Sequence, residues 1–140
     1  MLKTIPSILS PDLLKILMEM GHGDELVIVD GNYPAASMNA RVVRLDGHGA
    51  EEVLKAILTL FPLDTYAENA FLMEKSSGDA TPTPIWANFE AICKQSDPAF
   101  KRFGTLERYA FYERSRKAYA IVATGEKALY ANVLLKKGVV

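Results

Sequence analysis

The chain has 140 residues, 49% of them apolar and 9% aromatic, which is enough for one domain to bury a full core without a metal or a disulfide. Sixteen Lys and Arg against 17 Asp and Glu leave a formal net charge of −1, which excludes the strongly basic surface typical of nucleic-acid-binding domains. A lone cysteine, an N-terminus without a signal-peptide run, and no apolar stretch of about 18 residues predict a soluble cytoplasmic protein without a membrane segment.

The first predicted helix begins at Ser10, which can cap it, and Pro11, which suits the first helical position. Apolar residues then recur at helical spacing up to position 20, and Gly21 is predicted to close the helix in a left-handed conformation. The run Leu26-Val27-Ile28-Val29 is short, β-branched and unbroken, which is typical of a strand covered on both faces. This predicted strand ends at Asp30.

The rest of the chain alternates helical patterns with short apolar runs. In chain order we predict a strand over 41–45, a helix over 51–61, a strand over 70–73, a polar loop over 76–84, a helix over 84–94, a strand over 106–109, a charged helix over 111–117 whose face 112–117 is solvated, and strands over 119–123 and 133–135. Such alternation predicts one α/β domain over residues 1–140, with helices flanking a layered sheet.

Two ionisable side chains flank the first predicted strand. Asp30 lies at its carboxyl end, where open α/β sheets bind their ligands. His22 lies just before the strand, between Gly21 and Gly23, and a histidine near its ordinary pKa can exchange a proton at neutral pH. Alternatively, His22 is a surface-loop residue whose glycines end a helix, and Asp30 caps a turn.

A phenol and an amide lie close together in Tyr130-Ala131-Asn132, between a turn and the last predicted strand. Both groups suit the binding of sugar hydroxyls. Alternatively, Tyr130 packs in the core and Asn132 satisfies the turn. The forked guanidinium of Arg108 can also donate to hydroxyls, although a surface ion pair is the commoner role of such an arginine.

Other motifs are weaker indications of a functional site. Gly47-His48-Gly49 resembles the start of a dinucleotide fingerprint, but Glu52 stands at the third glycine position, where it would repel a pyrophosphate. The pairs His22/Asp24 and Asp46/His48 match no compact metal site. Cys93 lies in an apolar helical pattern and is predicted to be a buried small hydrophobe. The sequence therefore predicts neither a metal nor a cofactor.

Taken together, these residues resemble the fucose mutarotase and ribose pyranase family, with matches along the whole chain except about residues 68–105. The matching motifs are Leu2-Lys3-Thr4-Ile5, Ser10-Pro11-Asp12-Leu13-Leu14-Lys15, Met20-Gly21-His22-Gly23-Asp24-Glu25, Asp30 with Pro34, Ala110-Phe111-Tyr112-Glu113-Arg114, Thr124-Gly125-Glu126, Tyr130-Ala131-Asn132, and Leu134-Leu135-Lys136-Lys137-Gly138-Val139. Tyr112-Glu113-Arg114 and the Lys136-Lys137-Gly138 ending resemble the fucose branch in particular.

The resemblance implies the family's layered α/β fold and a cofactor-free isomerase that interconverts the α and β anomers of a monosaccharide, with L-fucose as the expected substrate. It implies that His22 is the proton donor and that Asp30, Arg108 and Tyr130-Ala131-Asn132 bind the sugar. It further implies ring-like homodecamers with sites where subunits meet, and no nucleic-acid or membrane partner. A non-catalytic sugar-binding accessory of a transport operon is the rival interpretation, and it would not need His22.

Two departures from the family pattern concern the sugar site. Fucose-type members often carry histidines where this chain has Asn32 and Ala36. Ribose pyranases tend to carry histidine at the position of Arg108, which favours fucose here. The departures leave the preferred sugar, and whether ribose is accepted, open.

The C-terminus bears on assembly. The last predicted strand leads into Lys136-Lys137-Gly138-Val139-Val140, an apolar end that would fray unless it docks on something. The aromatic density of the C-terminal half is also typical of subunit contacts, although a core position is the commoner fate of each ring. A closed symmetric homo-oligomer is therefore predicted.

Overall fold

The computed structural model describes residues 1–140 and contains five helices and six strands. Along the chain these are α1 (Pro11–Glu19), β1 (Glu25–Val29), α2 (Ala35–Met38), β2 (Val42–Leu45), α3 (Ala50–Leu58), β3 (Ala70–Met73), α4 (Ile85–Ser96), β4 (Gly104–Leu106), α5 (Arg108–Lys117), β5 (Ala120–Thr124) and β6 (Val133–Lys136). No helix combines the length and apolarity that crossing a membrane requires.

All six strands form one mixed sheet in the order β2-β5-β1-β6-β3-β4. Strand β6 runs antiparallel to both of its neighbours, β1 and β3, whereas every other pairing is parallel. The carboxyl ends of β1, β2, β3, β4 and β5 therefore share one edge of the sheet with the amino end of β6. We call this the carboxyl edge and the other one the amino edge.

Helices cover both faces of the sheet. Successive side chains of β1 point to opposite sides and therefore enter two different clusters. Leu26 and Ile28 belong to a cluster of 26 buried residues that includes side chains of α1, α3 and α4. Val27 and Val29 belong to a second cluster of 10 buried residues on the other face, with α2 and α5. The predicted layered α/β sheet with flanking helices is confirmed, as is the burial of the first strand on both faces.

The boundaries of α1 illustrate one confirmed and one wrong prediction. The Ser10 hydroxyl caps the helix by accepting from the Leu13 amide at 3.2 Å. The helix ends earlier than predicted, because Met20 caps it in an extended conformation. Gly21 is not left-handed; that conformation belongs to Gly23, with φ of 85°. The turn into β1 is therefore made two residues later, immediately beyond His22.

The sequence prediction is wrong around residue 107, where a helix begins instead of a strand continuing. A strand was predicted over 106–109, but β4 ends at Leu106 and α5 begins at Arg108. The side chain of Glu107 caps α5 by accepting from the amides of Tyr109 and Ala110, at 2.9 and 3.2 Å. Helix formation here is set by this local cap, which the apolar-polar alternation of the sequence conceals. The helix predicted over 51–61 also ends earlier, at Leu58, and the short helix α2 was not predicted.

Helix α5 is not simply a solvated charged face, as 112–117 was predicted to be. Ser115 is fully buried, and its hydroxyl donates to the Phe111 carbonyl at 2.9 Å. Arg114 is half-buried, pairs with Glu25 at the start of β1, and stacks 4.2 Å above the ring of Phe71. This helix therefore contributes both packing and an ion pair to one face of the sheet.

Candidate functional site

A polar cleft of about 230 Å³ opens at the carboxyl edge, between β1, β6, β3 and the start of α5. Four of the residues selected from the sequence line it: Asp30, Arg108, Tyr130 and Asn132. Other side chains, which the sequence analysis did not select as site residues, complete its wall: Tyr33, Met73, Asp79 and Tyr112.

Asp30 and Asn132 form the buried floor of this cleft. Because β6 is antiparallel to β1, the residue before β6 lies beside the residue after β1. Asn132 donates from Nδ2 to Asp30 Oδ2 at 3.1 Å, and its Oδ1 accepts from the Asp30 amide at 3.0 Å. The Ala131 amide donates to the same Oδ2 at 3.3 Å, and the Asn32 amide donates to Oδ1 at 3.0 Å. Ala131 is thus part of the site through its backbone.

Burial raises the pKa of Asp30 above its ordinary value of 3.8, although the hydrogen bonds from Asn32, Ala131 and Asn132 act in the opposite direction. These donors engage three of the about four acceptor positions of a carboxylate. Oδ2 has two of these donors and Oδ1 has one, so Oδ1 is the oxygen on which Asp30 would accept from a ligand hydroxyl.

Tyr130 has an unusual backbone conformation. Its φ is 57°, in the left-handed region that costs a non-glycine residue about 1–3 kcal/mol. Its carbonyl accepts from the Trp86 indole nitrogen at 2.8 Å, and its hydroxyl donates to Asp79 Oδ2. The hydrogen bonds from Thr81 and then Tyr130 lower the pKa of Asp79 to about 2, so this carboxylate is ionised at neutral pH.

Arg108 lies at the exposed mouth of the cleft, on the first residue of α5. Its Nε donates to the Tyr112 hydroxyl at 3.1 Å, and its guanidinium lies 5.4 Å from the centre of that ring. No ion pair engages Arg108, so its remaining N–H groups are free to donate to a ligand. Tyr33, whose hydroxyl donates to Ser115 at 2.6 Å, packs edge-on against Tyr112 and fixes that ring.

His22 does not join this cleft. It lies in the loop that precedes β1, at the amino edge, and its half-exposed ring packs 5.4 Å from that of Tyr66. The Nε2 atom lies 3.1 Å from Oδ1 of Asp64, a carboxylate that is almost fully buried. The Tyr66 amide and His22 itself lower the pKa of Asp64 despite the opposing effect of burial. The five residues of β1, about 15 Å of strand, separate His22 from Asp30 in one chain.

The additional site residues gave little local signal in the sequence. Asp79 lies in a polar loop, and its partner Tyr130 is 51 positions away in the chain. Asp64 is 42 positions from His22 and follows Pro62 and Leu63, outside any predicted helix or strand. Tyr112 faces Arg108 because the two residues are four positions apart on α5, a relation that the predicted strand over 106–109 concealed.

The structure rules out the nucleotide site considered at residues 47–49. The start of α3 is already occupied by carboxylates: Glu52 accepts from the Gly49 amide at 3.0 Å and Glu126 accepts from the Ala50 amide at 3.1 Å. His48 also contacts Glu52, at 3.0 Å, and no cluster of three or more His, Cys, Asp or Glu side chains could hold a metal ion. Cys93 is buried, as predicted, and burial raises its pKa to about 12.

The cleft therefore offers a carboxylate, an amide, a phenol and a guanidinium to one small polyhydroxylated ligand, with the apolar side of Met73 beside them. Carboxylate and amide oxygens accept from hydroxyls, and the guanidinium donates to them. Small-molecule sites commonly combine a few such fixed polar groups with apolar walls.

Known proteins similar to this chain include two fucose mutarotases and FucU. Fucose mutarotase of Danio rerio is 50% identical over 147 aligned positions, which cover 99% of this chain and 94% of that protein. The crystal structure of FucU from Bifidobacterium longum superposes with a TM-score of 0.93 at 56% identity, covering 97% of this chain and 98% of that one. The fucose mutarotase of Streptococcus pneumoniae, crystallised in complex with L-fucose, gives a TM-score of 0.91 at 50% identity, with 99% of both chains covered.

A family model described as the RbsD / FucU transport protein family matches residues 3–140, which includes the middle region where the sequence motifs gave no resemblance. The fold, the near-complete coverage and the level of identity agree with that match. The chain belongs to the RbsD / FucU family.

Proposed function

We propose that this protein, over residues 1–140, is a fucose mutarotase: an isomerase that interconverts the α and β anomers of L-fucose without a cofactor. The observation that carries the proposal is the cleft in which Asp30, Asn132 and the Ala131 amide form one hydrogen-bonded unit beside Arg108 and Tyr130. Full-length relatives at about half identity bear that name, and one of them was crystallised with L-fucose.

The reaction needs two proton movements. One proton leaves the anomeric hydroxyl, another reaches the ring oxygen, and the bond between that oxygen and C1 breaks to give the open-chain aldehyde. Rotation about C1–C2 and reclosure of the ring, with the proton movements reversed, give the other anomer. Positioned acid–base groups contribute roughly 10²–10⁴-fold to such a step, and no redox change or metal is involved.

His22 is assigned the role of proton donor. The buried carboxylate of Asp64 accepts a hydrogen bond from Nε2–H, which leaves Nδ1 as the nitrogen that takes and gives a proton. Asp30, Arg108, Tyr130, Ala131 and Asn132 bind the sugar. Tyr130 and a water molecule are both candidates for the base.

The separation of His22 from the cleft supports a site shared between copies of the chain. Reacting groups must approach within about 3–3.5 Å, and a strand of five residues lies between His22 and Asp30 in one copy. A neighbouring copy that places its amino edge over this carboxyl edge brings the two together. We therefore assign the protein to a closed homo-oligomer, with the decamer of its family as the expected size.

The surface around His22 is suited to such a contact. An apolar groove of about 660 Å³ runs beside His22, between α1 and the C-terminal residues. Its exposed apolar members are Leu2, Met18, Leu60, Val139 and Val140. Large apolar patches of this kind mark interaction surfaces, because their burial is what stabilises association.

Assembly and activity should therefore be lost together. Met18→Glu puts a charge into the groove, and we expect light scattering to show it as a smaller species, down to the 15.4 kDa chain, with little anomer exchange. Lys15→Glu, at an exposed position of the same helix, should retain the assembly state and the exchange rate of the wild type. A wild-type monomer of about 15 kDa that still catalysed would contradict the shared site.

A cytoplasmic location is part of the same proposal. It is supported by Cys93, a free and buried thiol with no second cysteine to pair with, as is usual in a reducing compartment.

The function itself is tested by saturation-transfer NMR on L-fucose at equilibrium. Added wild-type protein should accelerate magnetisation transfer between the α and β anomeric signals, and D-ribose measured in parallel defines the second substrate. Binding of L-fucose without acceleration would instead support the sugar-binding accessory, which keeps the cleft but has no need of His22.

A further inference from the structure

We propose that Asp79 is a positioning residue that acts through Tyr130: it accepts the hydrogen bond of the phenol and so presents the Tyr130 oxygen to the sugar as a hydrogen-bond acceptor. This inference rests on the proposed function for its substrate, and it assigns to the segment 76–86 a part in the reaction.

The first support is a count of hydrogen-bonding positions on the phenol. A tyrosine hydroxyl has one proton to donate, and its oxygen can also accept. Its proton goes to Asp79, which is ionised and can only accept. The Ser76 amide donates to the same oxygen at 3.3 Å. Because the proton is directed to Asp79, this oxygen can only accept from a ligand in the cleft that Tyr130 lines.

The second support is that the same segment holds Tyr130 at both of its ends. Trp86 donates its indole N–H to the Tyr130 carbonyl at 2.8 Å, while Asp79 holds the hydroxyl. Between these two contacts the backbone is held at a φ of 57°. This turn directs the next amide, that of Ala131, to Asp30. Two contacts from outside the sheet thus fix both the phenol and the backbone next to the Asp30 carboxylate.

The third support is that Asp79 is itself held in place. Its Oδ1 accepts from the Thr81 amide at 2.8 Å and also from the Thr81 hydroxyl. The ammonium of Lys75 donates to the Thr81 carbonyl at 3.0 Å, which closes the loop. The other oxygen, Oδ2, is left for Tyr130. A carboxylate fixed in this way sets the direction of a neighbouring proton without being consumed.

The isosteric variant Asp79→Asn reverses this arrangement. With its amide oxygen retained by the two Thr81 donors, the amide nitrogen faces Tyr130 and donates to it, so the phenol proton turns towards the cleft. We expect kcat/KM for L-fucose anomer exchange to fall by about ten- to a hundredfold, the range of a hydrogen bond to a charged group. Asp46→Asn is the matched control, because Asp46 is an exposed aspartate paired with Arg44 and should keep the wild-type rate.

A mutant cycle separates positioning from loop damage. If Asp79 acts through the phenol, Asp79→Asn should not lower kcat/KM further once Tyr130→Phe has removed the hydroxyl. The double variant should then have the same kcat/KM as Tyr130→Phe alone. Losses that multiply in the double variant would overturn the proposal, because Asp79 would then act by another route.

A readout without substrate keeps this test apart from the test of function. Trp86 is the only tryptophan, so 5-fluorotryptophan labelling gives one ¹⁹F signal beside the Tyr130 carbonyl. Asp79→Asn should move this signal in the wild-type background but not in the Tyr130→Phe background. An equal shift in both backgrounds would refute the coupling. If wild-type protein does not exchange L-fucose, the proposed function fails while this ¹⁹F comparison still decides the role of Asp79.

Discussion

Replacing His22 by alanine is expected to remove most of the acceleration of L-fucose anomer exchange, by roughly 10²–10⁴-fold in kcat. The variant lacks the imidazole that delivers a proton to the ring oxygen, whereas the cleft at the carboxyl edge retains all of its sugar-binding groups. L-fucose should therefore still bind with nearly unchanged affinity. Saturation-transfer NMR gives the rate and a ligand titration gives the affinity on the same sample.

The second histidine of the chain provides the matched control. His48 is exposed to nearly the same degree, 41% against 46% for the His22 side chain, and it also contacts a carboxylate, that of Glu52. It lies at the start of α3, away from both the cleft and the groove. His48→Ala should retain wild-type exchange. Equal exchange in His22→Ala would remove His22 from the mechanism and leave water to deliver the proton.

The elements of this fold were predictable where local chemistry determines them. The strands β1, β3, β5 and β6 are short and mainly apolar, with β-branched residues concentrated in β1 and β5, a pattern that favours a sheet buried on both faces. Ser10 identified the start of α1 because its cap is local. The helix α2 was missed because its four residues carry no periodicity, and α5 was misplaced because Glu107 caps it within an alternating pattern.

The candidate site was predictable only in part, since its contacts join distant positions. Asp30 was found because ligands bind at the carboxyl ends of strands in such sheets. Asn132 was found because its amide lies close to the Tyr130 phenol, and both groups suit sugar hydroxyls. That these two would bond each other across 102 positions depends on β6 being antiparallel, which the sequence does not reveal. Likewise, no pattern shows that His22 would lie at the opposite edge beside Asp64.

Asp30→Asn is expected to damage both stability and activity, because its surroundings offer only donors. The amides of Asn32 and Ala131 and the Asn132 side chain all donate to the carboxylate. An asparagine must point its own NH₂ at one of these donors in either orientation, which costs about 1–3 kcal/mol for the unsatisfied groups. We expect a lower free energy of unfolding by denaturant titration.

The same variant should lose more than about a hundredfold in kcat/KM, because the acceptor for a sugar hydroxyl is weakened and Asn132 and Tyr130 shift from their positions. Activity is compared well below the unfolding transition, so that loss of folded protein does not enter. A variant with normal kcat/KM would show that Asp30 is only a structural anchor of β6.

The exchanged pair Asp30→Asn with Asn132→Asp distinguishes these two effects. In this double variant the amide at position 30 donates to the carboxylate at 132, which restores the lost side-chain contact in reverse. The carboxylate at 132 still accepts from the backbone amide of residue 30. Most of the lost stability should return, leaving only the 3.3 Å contact from Ala131 mismatched. Activity should stay low, because the charge has moved away from the position that accepts from the sugar. Recovery of stability and activity together would show that the cleft needs a carboxylate on either strand, and that its placement on β1 does not select the substrate.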